Sequence, residues 1–99
     1  MMDTKDAQEL MRKIYLDRDR ARGIERTLLR TFHELGELSD AVLKKEEETE
    51  VEKEVADVFA WLCSVANLLN LDLSRALLKK YGNGCSKCGK TPCECTNTP

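Results

Sequence analysis

The chain has 99 residues, enough for one domain whose core lies near the lower limit of independent stability. With 16 Lys+Arg against 18 Asp+Glu the net charge is −2, which gives no electrostatic ground for a nucleic acid or membrane partner. No apolar run approaches the roughly 20 residues of a membrane span, and Met1-Met2-Asp3 opens no export signal, so a soluble, cytoplasmic protein is expected.

The pattern is helical throughout, apart from a cysteine-rich ending. Ala7, Leu10, Met11 and Ile14 form a first short stripe after the polar start Asp3-Thr4. The charged segment Asp17–Arg22 is expected to interrupt it, with Gly23 a natural stop. Ile24, Leu28, Thr31, Leu35, Leu38 and Val42 then recur at helical period up to Lys44-Lys45. A third stripe runs Val51, Val55, Val58, Leu62, Val65 and Leu69, and Thr49 with Glu52 reads as the capping box that opens it. A fourth, shorter helix should follow Asp72 as N-cap and end at Gly82, with Lys79 and Lys80 in its last turn. The expected fold is all-α: an antiparallel bundle of about four helices over residues 1–83, completed by oligomerisation, with a cysteine-rich tail over 84–99.

Two acidic pairs of equal spacing stand out, Glu34/Glu37 and Glu54/Asp57. Residues three apart share one side of a helix. At about 100° per residue, Glu34 falls roughly 80° to one side of its apolar stripe and Glu54 about 60° to the same rotational side of its own. In an antiparallel hairpin such flanks open onto one groove, and both pairs lie at matched depth from the Lys44–Glu48 connection. Four anions crowded near a core repel one another and lose hydration, so a cation is expected among them. Carboxylate oxygens suit a hard divalent ion, Mg²⁺ above all. The plainer reading is a set of solvated flanking acids, with Arg30 forming an ordinary ion pair to Glu34 four residues on.

The motif His33-Glu34-Leu35-Gly36-Glu37, followed by Glu54-Val55-Ala56-Asp57, resembles the signature of the MazG-like nucleotide pyrophosphohydrolases, Glu-Glu-x-x-Glu and then Glu-x-x-Asp. The similarity extends over most of residues 5–81, including Arg18–Gly23 and Lys79-Lys80-Tyr81. The resemblance implies an all-α homodimer or homotetramer. Such an enzyme cleaves nucleoside triphosphates between the α and β phosphates, releasing monophosphate and pyrophosphate. It further implies that Glu34, Glu37, Glu54 and Asp57 bind Mg²⁺ and carry the catalysis. His33 departs from the pattern by replacing the leading Glu.

A triphosphate also needs cationic partners. Arg18, Arg20, Arg22, Arg26, Arg30, Lys79 and Lys80 are candidates, Arg22 favoured by the resemblance, although lysines at a helix C-terminus also serve the dipole. Trp61 lies four residues past Asp57 and could stack on a base or fill a core or subunit interface. Asn67 and Asn70 could read a base edge or be plain exposed polar positions. Cys85, Cys88, Cys93 and Cys95 supply four thiolates within eleven residues, a set that suits a structural Zn²⁺, the alternative being a reducible or disordered tail. Cys63, alone in an apolar helix, reads as a small buried residue. The alternative to an enzyme is a non-catalytic helical dimer whose zinc-binding tail acts as an interaction module.

Overall fold

The structure, a computed structural model, describes residues 1–96. Four helices follow in chain order, α1 Thr4–Arg22, α2 Ile24–Leu43, α3 Glu48–Leu68 and α4 Leu73–Tyr81, and no strand occurs among the described residues. The all-α expectation is met. Helix α3 is central, packed against both α2 and α1, while α4 rests on α1. No single helix is long and apolar enough to cross a membrane.

Local chemistry explains each boundary. Asp3 and Asp6 form a reciprocal capping box that starts α1. Gly23 then ends it at φ 87°, a conformation that L side chains resist, and α2 starts at the next residue. Gly23 also anchors that start, because its carbonyl accepts both the amide and the hydroxyl of Thr27. At the other end of α2, Lys45 takes a left-handed φ of 55°. Its amide reaches Val42 O and that of Glu46 reaches Ala41 O, the pairing of a Schellman stop. Asn70 repeats the device after α3, with amide bonds from Asn70 to Asn67 O and from Leu71 to Ala66 O. The expected cap at Asp72 is present and accepts the Arg75 amide.

Two expectations need correction. Asp17–Arg22 does not interrupt the first helix but is its last turn and a half. Asp19 and Arg22 continue the inward face begun by Gln8 and Met11, so the helix packs through polar side chains that an apolar count misses. Thr49 is not the N-cap of α3. The helix begins at Glu48 behind Glu47, because the Schellman turn reverses the chain within four residues.

The interior is small and polar. Its buried apolar side chains are Ala41, Cys63 and Ala66, beside the buried Gln8, Asp19, Thr27, Ser64 and Asn67. Gln8 ties three helices together: it donates to Asn67 Oδ1 (2.9 Å) and Leu71 O (2.7 Å), and accepts the Leu73 amide that opens α4. Asn67 is therefore a buried tie between helices, not an exposed polar position. Large apolar side chains meanwhile face outward, Leu29 at 69% and Phe32 at 75% exposure among them.

Candidate active site

The α2–α3 hairpin brings carboxylates from both helices to one place. Oxygens of Glu34, Glu54 and Asp57 lie within 4.8 Å of one another. Glu34 is only 9% exposed and is held at Oε1 by the Arg30 guanidinium at 3.2 Å. Asp57 is exposed. Glu54 joins them, and its Oε2 is buried with no hydrogen-bond donor. Burial, and then the charges of Glu37, Asp57 and Glu34, push the Glu54 carboxyl above its ordinary range.

The fourth acid stands apart from this trio. Glu37 lies near enough to raise Glu54, yet its carboxylate is taken by His33 Nε2 at 2.9 Å. His33 thus engages the acidic patch by an i,i+4 contact along α2. Glu37 and Glu54 line an open cleft with Gly36, Asp40, Lys44 and Glu46.

On the other side of Asp57 the chain builds a basic and aromatic wall. The Arg22 guanidinium lies 4.6 Å from the centre of the Trp61 ring and that of Arg30 lies 5.5 Å away. Arg22 is fixed from behind by Asp19 Oδ1 (2.8 Å) and Thr27 Oγ1 (3.3 Å). A cavity of 140 Å³ opens here between Tyr15, Asp19, Arg22, Asp57, Trp61 and Ser64. Asp19 is 1% exposed, and its Oδ2 is a second buried oxygen without a donor.

Of the residues singled out in the sequence, Arg22 and Trp61 therefore join the acids. Lys79 and Lys80 do not. They are exposed on the last turn of α4, with Lys80 over the Tyr81 ring, whereas the clefts beside the acids are lined from α1, α2, α3 and the α2–α3 turn. Tyr15, Asp19 and Ser64 also line the cavity. Their only sequence signal is polar residues at helical spacing on packed faces. Asn70 serves as the left-handed stop after α3.

The four tail cysteines form a second cluster, with all Sγ atoms within 4.8 Å of one another. The backbone amides of Cys88 and Lys87 hold the Cys85 thiol down to about 6, while hydrogen bonds to Cys93 and Cys85 push Cys95 up to about 11. Cys63 is buried, and burial raises its thiol.

A model of the MazG nucleotide pyrophosphohydrolase domain matches residues 22–88, more than half of the chain. The chain belongs to the MazG family. No curated protein matches it. The MazG match holds the whole acidic hairpin together with Arg22, Arg30 and Trp61, but leaves out most of α1, which supplies Tyr15 and Asp19 to the cavity. It also runs past residue 83 and takes in Cys85 and Cys88 but not Cys93 and Cys95.

Proposed function

We propose that the protein is a Mg²⁺-dependent nucleoside triphosphate pyrophosphohydrolase that cleaves the α–β phosphoanhydride to give nucleoside monophosphate and pyrophosphate. The observation that carries this reading is Glu54 Oε2, a buried carboxylate oxygen with no donor, inside a three-acid cluster whose oxygens lie within 4.8 Å. An anion so placed lacks a positive partner, and all-oxygen donors match a hard divalent ion better than a soft one. Glu34, Glu54 and Asp57 are the residues that would hold it. When bound, Mg²⁺ offsets the charge of the phosphate oxygens and of the departing pyrophosphate.

The chain's own residues supply the rest. Water adds to the α phosphorus, the bond to the bridging oxygen breaks, and a carboxylate of the acidic patch takes the proton of the water. Glu37 flanks the cluster and belongs to this catalytic set. Arg22 and Arg30 offer planar donors to phosphate oxygens, and Arg22 arrives already oriented by Asp19 and Thr27. Trp61 presents its ring beside both arginines, in the cavity that Asp57 also lines, and a base can stack there.

The functional unit is a homodimer or homotetramer. A chain whose buried apolar side chains are Ala41, Cys63 and Ala66, and which exposes Leu28, Leu29, Phe32, Val55 and Phe59, leaves large apolar side chains uncovered.

Substitution of the acids tests the reading. Glu54→Gln and Asp57→Asn should each lower hydrolysis at least about 100-fold, since even outer-shell partners of a metal cost 10–100-fold, while helicity by far-UV circular dichroism is unchanged. Full activity in either variant refutes the metal-site assignment.

A further inference from the structure

We propose that Cys85, Cys88, Cys93 and Cys95 hold one Zn²⁺ in a closed tetrathiolate knuckle that folds the tail on itself directly after α4. The proposal is independent of the nucleotide chemistry, because none of these residues lines the clefts beside the acids.

The sulfur geometry argues for it first. Cys85 Sγ lies 3.7 Å from Cys95 Sγ, and Cys88 Sγ lies 4.0 Å from Cys93 Sγ. A zinc ion with bonds of about 2.3 Å to four tetrahedral sulfurs sets them about 3.8 Å apart. A disulfide would bring them to about 2.0 Å. Two of the six edges of the sulfur cluster thus have the length a tetrahedral site requires, and all six are within 4.8 Å.

The backbone argues for it second. Three sulfurs accept amide hydrogen bonds: Cys85 from Lys87 (3.5 Å), Cys88 from Glu94 (3.4 Å) and Cys93 from Cys95 (3.3 Å). Such donors orient ligating thiolates and spread their charge. The turn that presents them is closed by Gly89 N to Cys85 O (2.8 Å) and Cys85 N to Lys90 O (3.0 Å). Gly84 sits at φ 108°, and a Cβ there would meet Thr91 Oγ1 at 2.6 Å, so the loop leaves no room for a side chain. A bond from Gly84 N to Tyr81 O (3.0 Å) joins this loop to α4.

Residues 84–96 contain no helix or strand and no buried residue. A loop of this kind without a hydrophobic core needs a covalent or metal staple. Lys87 and Lys90 within the loop offset part of the two negative charges of a Zn²⁺ tetrathiolate. On loading, Zn²⁺ takes four sulfur bonds and the thiols release up to four protons to solvent. Four protein ligands leave no open position, so the ion is structural and not catalytic.

The test uses the full chain purified under reducing conditions with zinc present and then dialysed against metal-free buffer. Elemental analysis should give one zinc per chain. Replacement by Co²⁺ should give thiolate-to-cobalt charge transfer and the visible bands of a tetrahedral site. Cys85→Ser/Cys88→Ser should lose both signals with α-helical circular dichroism retained, and Cys63→Ala should keep both. A wild-type chain without zinc, a cobalt spectrum without thiolate charge transfer, iron in place of zinc, or undiminished zinc in the double variant would each overturn the proposal. Single substitutions of Cys93 and Cys95 by Ser, read by the same cobalt bands, decide the case if the double variant does not fold.

Discussion

Arg22→Ala should cost far more stability than an ordinary surface ion pair. Asp19 is 1% exposed and meets Arg22 Nη1 at 2.8 Å, and its second oxygen has no donor. Removing one partner of a buried pair costs about 3–5 kcal/mol because the other charge is stranded. The Arg22 side chain is 24% exposed, so water can reach part of the vacated space, which lowers the expected cost to about 2–3 kcal/mol. For a domain of this size that is a fall in Tm of roughly 10–20 °C. A double-mutant cycle with Asp19→Asn isolates the pair from the loss of the Arg22–Trp61 contact. Alone, Asp19→Asn should destabilise by about 1 kcal/mol as a charge-assisted bond becomes a neutral one. In the Arg22→Ala background it should instead stabilise, since it removes an unpaired buried charge. Urea denaturation of the four proteins, followed by circular dichroism, reads both signs. Additive effects within about 0.5 kcal/mol would refute the argument.

Glu54→Gln should raise the Tm of the metal-free protein at neutral pH. The folded state raises the Glu54 carboxyl, so it binds a proton more readily than the unfolded chain, and stability rises as pH falls through that range. The gain from Gln should therefore shrink in acid and on adding Mg²⁺; a gain independent of both would contradict the electrostatic origin. Arg30→Ala should raise KM for a nucleoside triphosphate about 10-fold by losing one charge-assisted contact, and an unchanged KM would remove Arg30 from the phosphate site. Phe32→Glu should convert the assembly to monomer in sedimentation at micromolar concentration, whereas a monomeric wild-type mass would discard the oligomer outright.

The sequence announced the acidic hairpin because carboxylates at i,i+3 on two apolar stripes are a pattern that helical geometry converts directly into a place. Gly23 and Asp72 were equally legible, each being the residue type its backbone position requires. What stayed hidden is polar packing. Asp17–Arg22 reads as a break in the first helix, yet Asp19 and Arg22 continue the buried face of α1 and position the guanidinium over Trp61. Asn67 looked like a free amide until Gln8, far away in the chain, met it. Lys45 stops α2 in a left-handed conformation that favours Gly or Asn, so composition placed the α3 cap at Thr49 instead. The separation of Glu37 from the trio rests on one side-chain choice, its bond to His33, which a helical wheel does not encode.

Product analysis tests the central claim most directly. The full chain is incubated with a panel of ribo- and deoxyribonucleoside triphosphates in Mg²⁺, with and without chelator, and the phosphorus products are separated. The account predicts nucleoside monophosphate and pyrophosphate in equal amounts, abolished by chelator and by Glu54→Gln. Diphosphate with orthophosphate, or turnover that survives chelation, would contradict it.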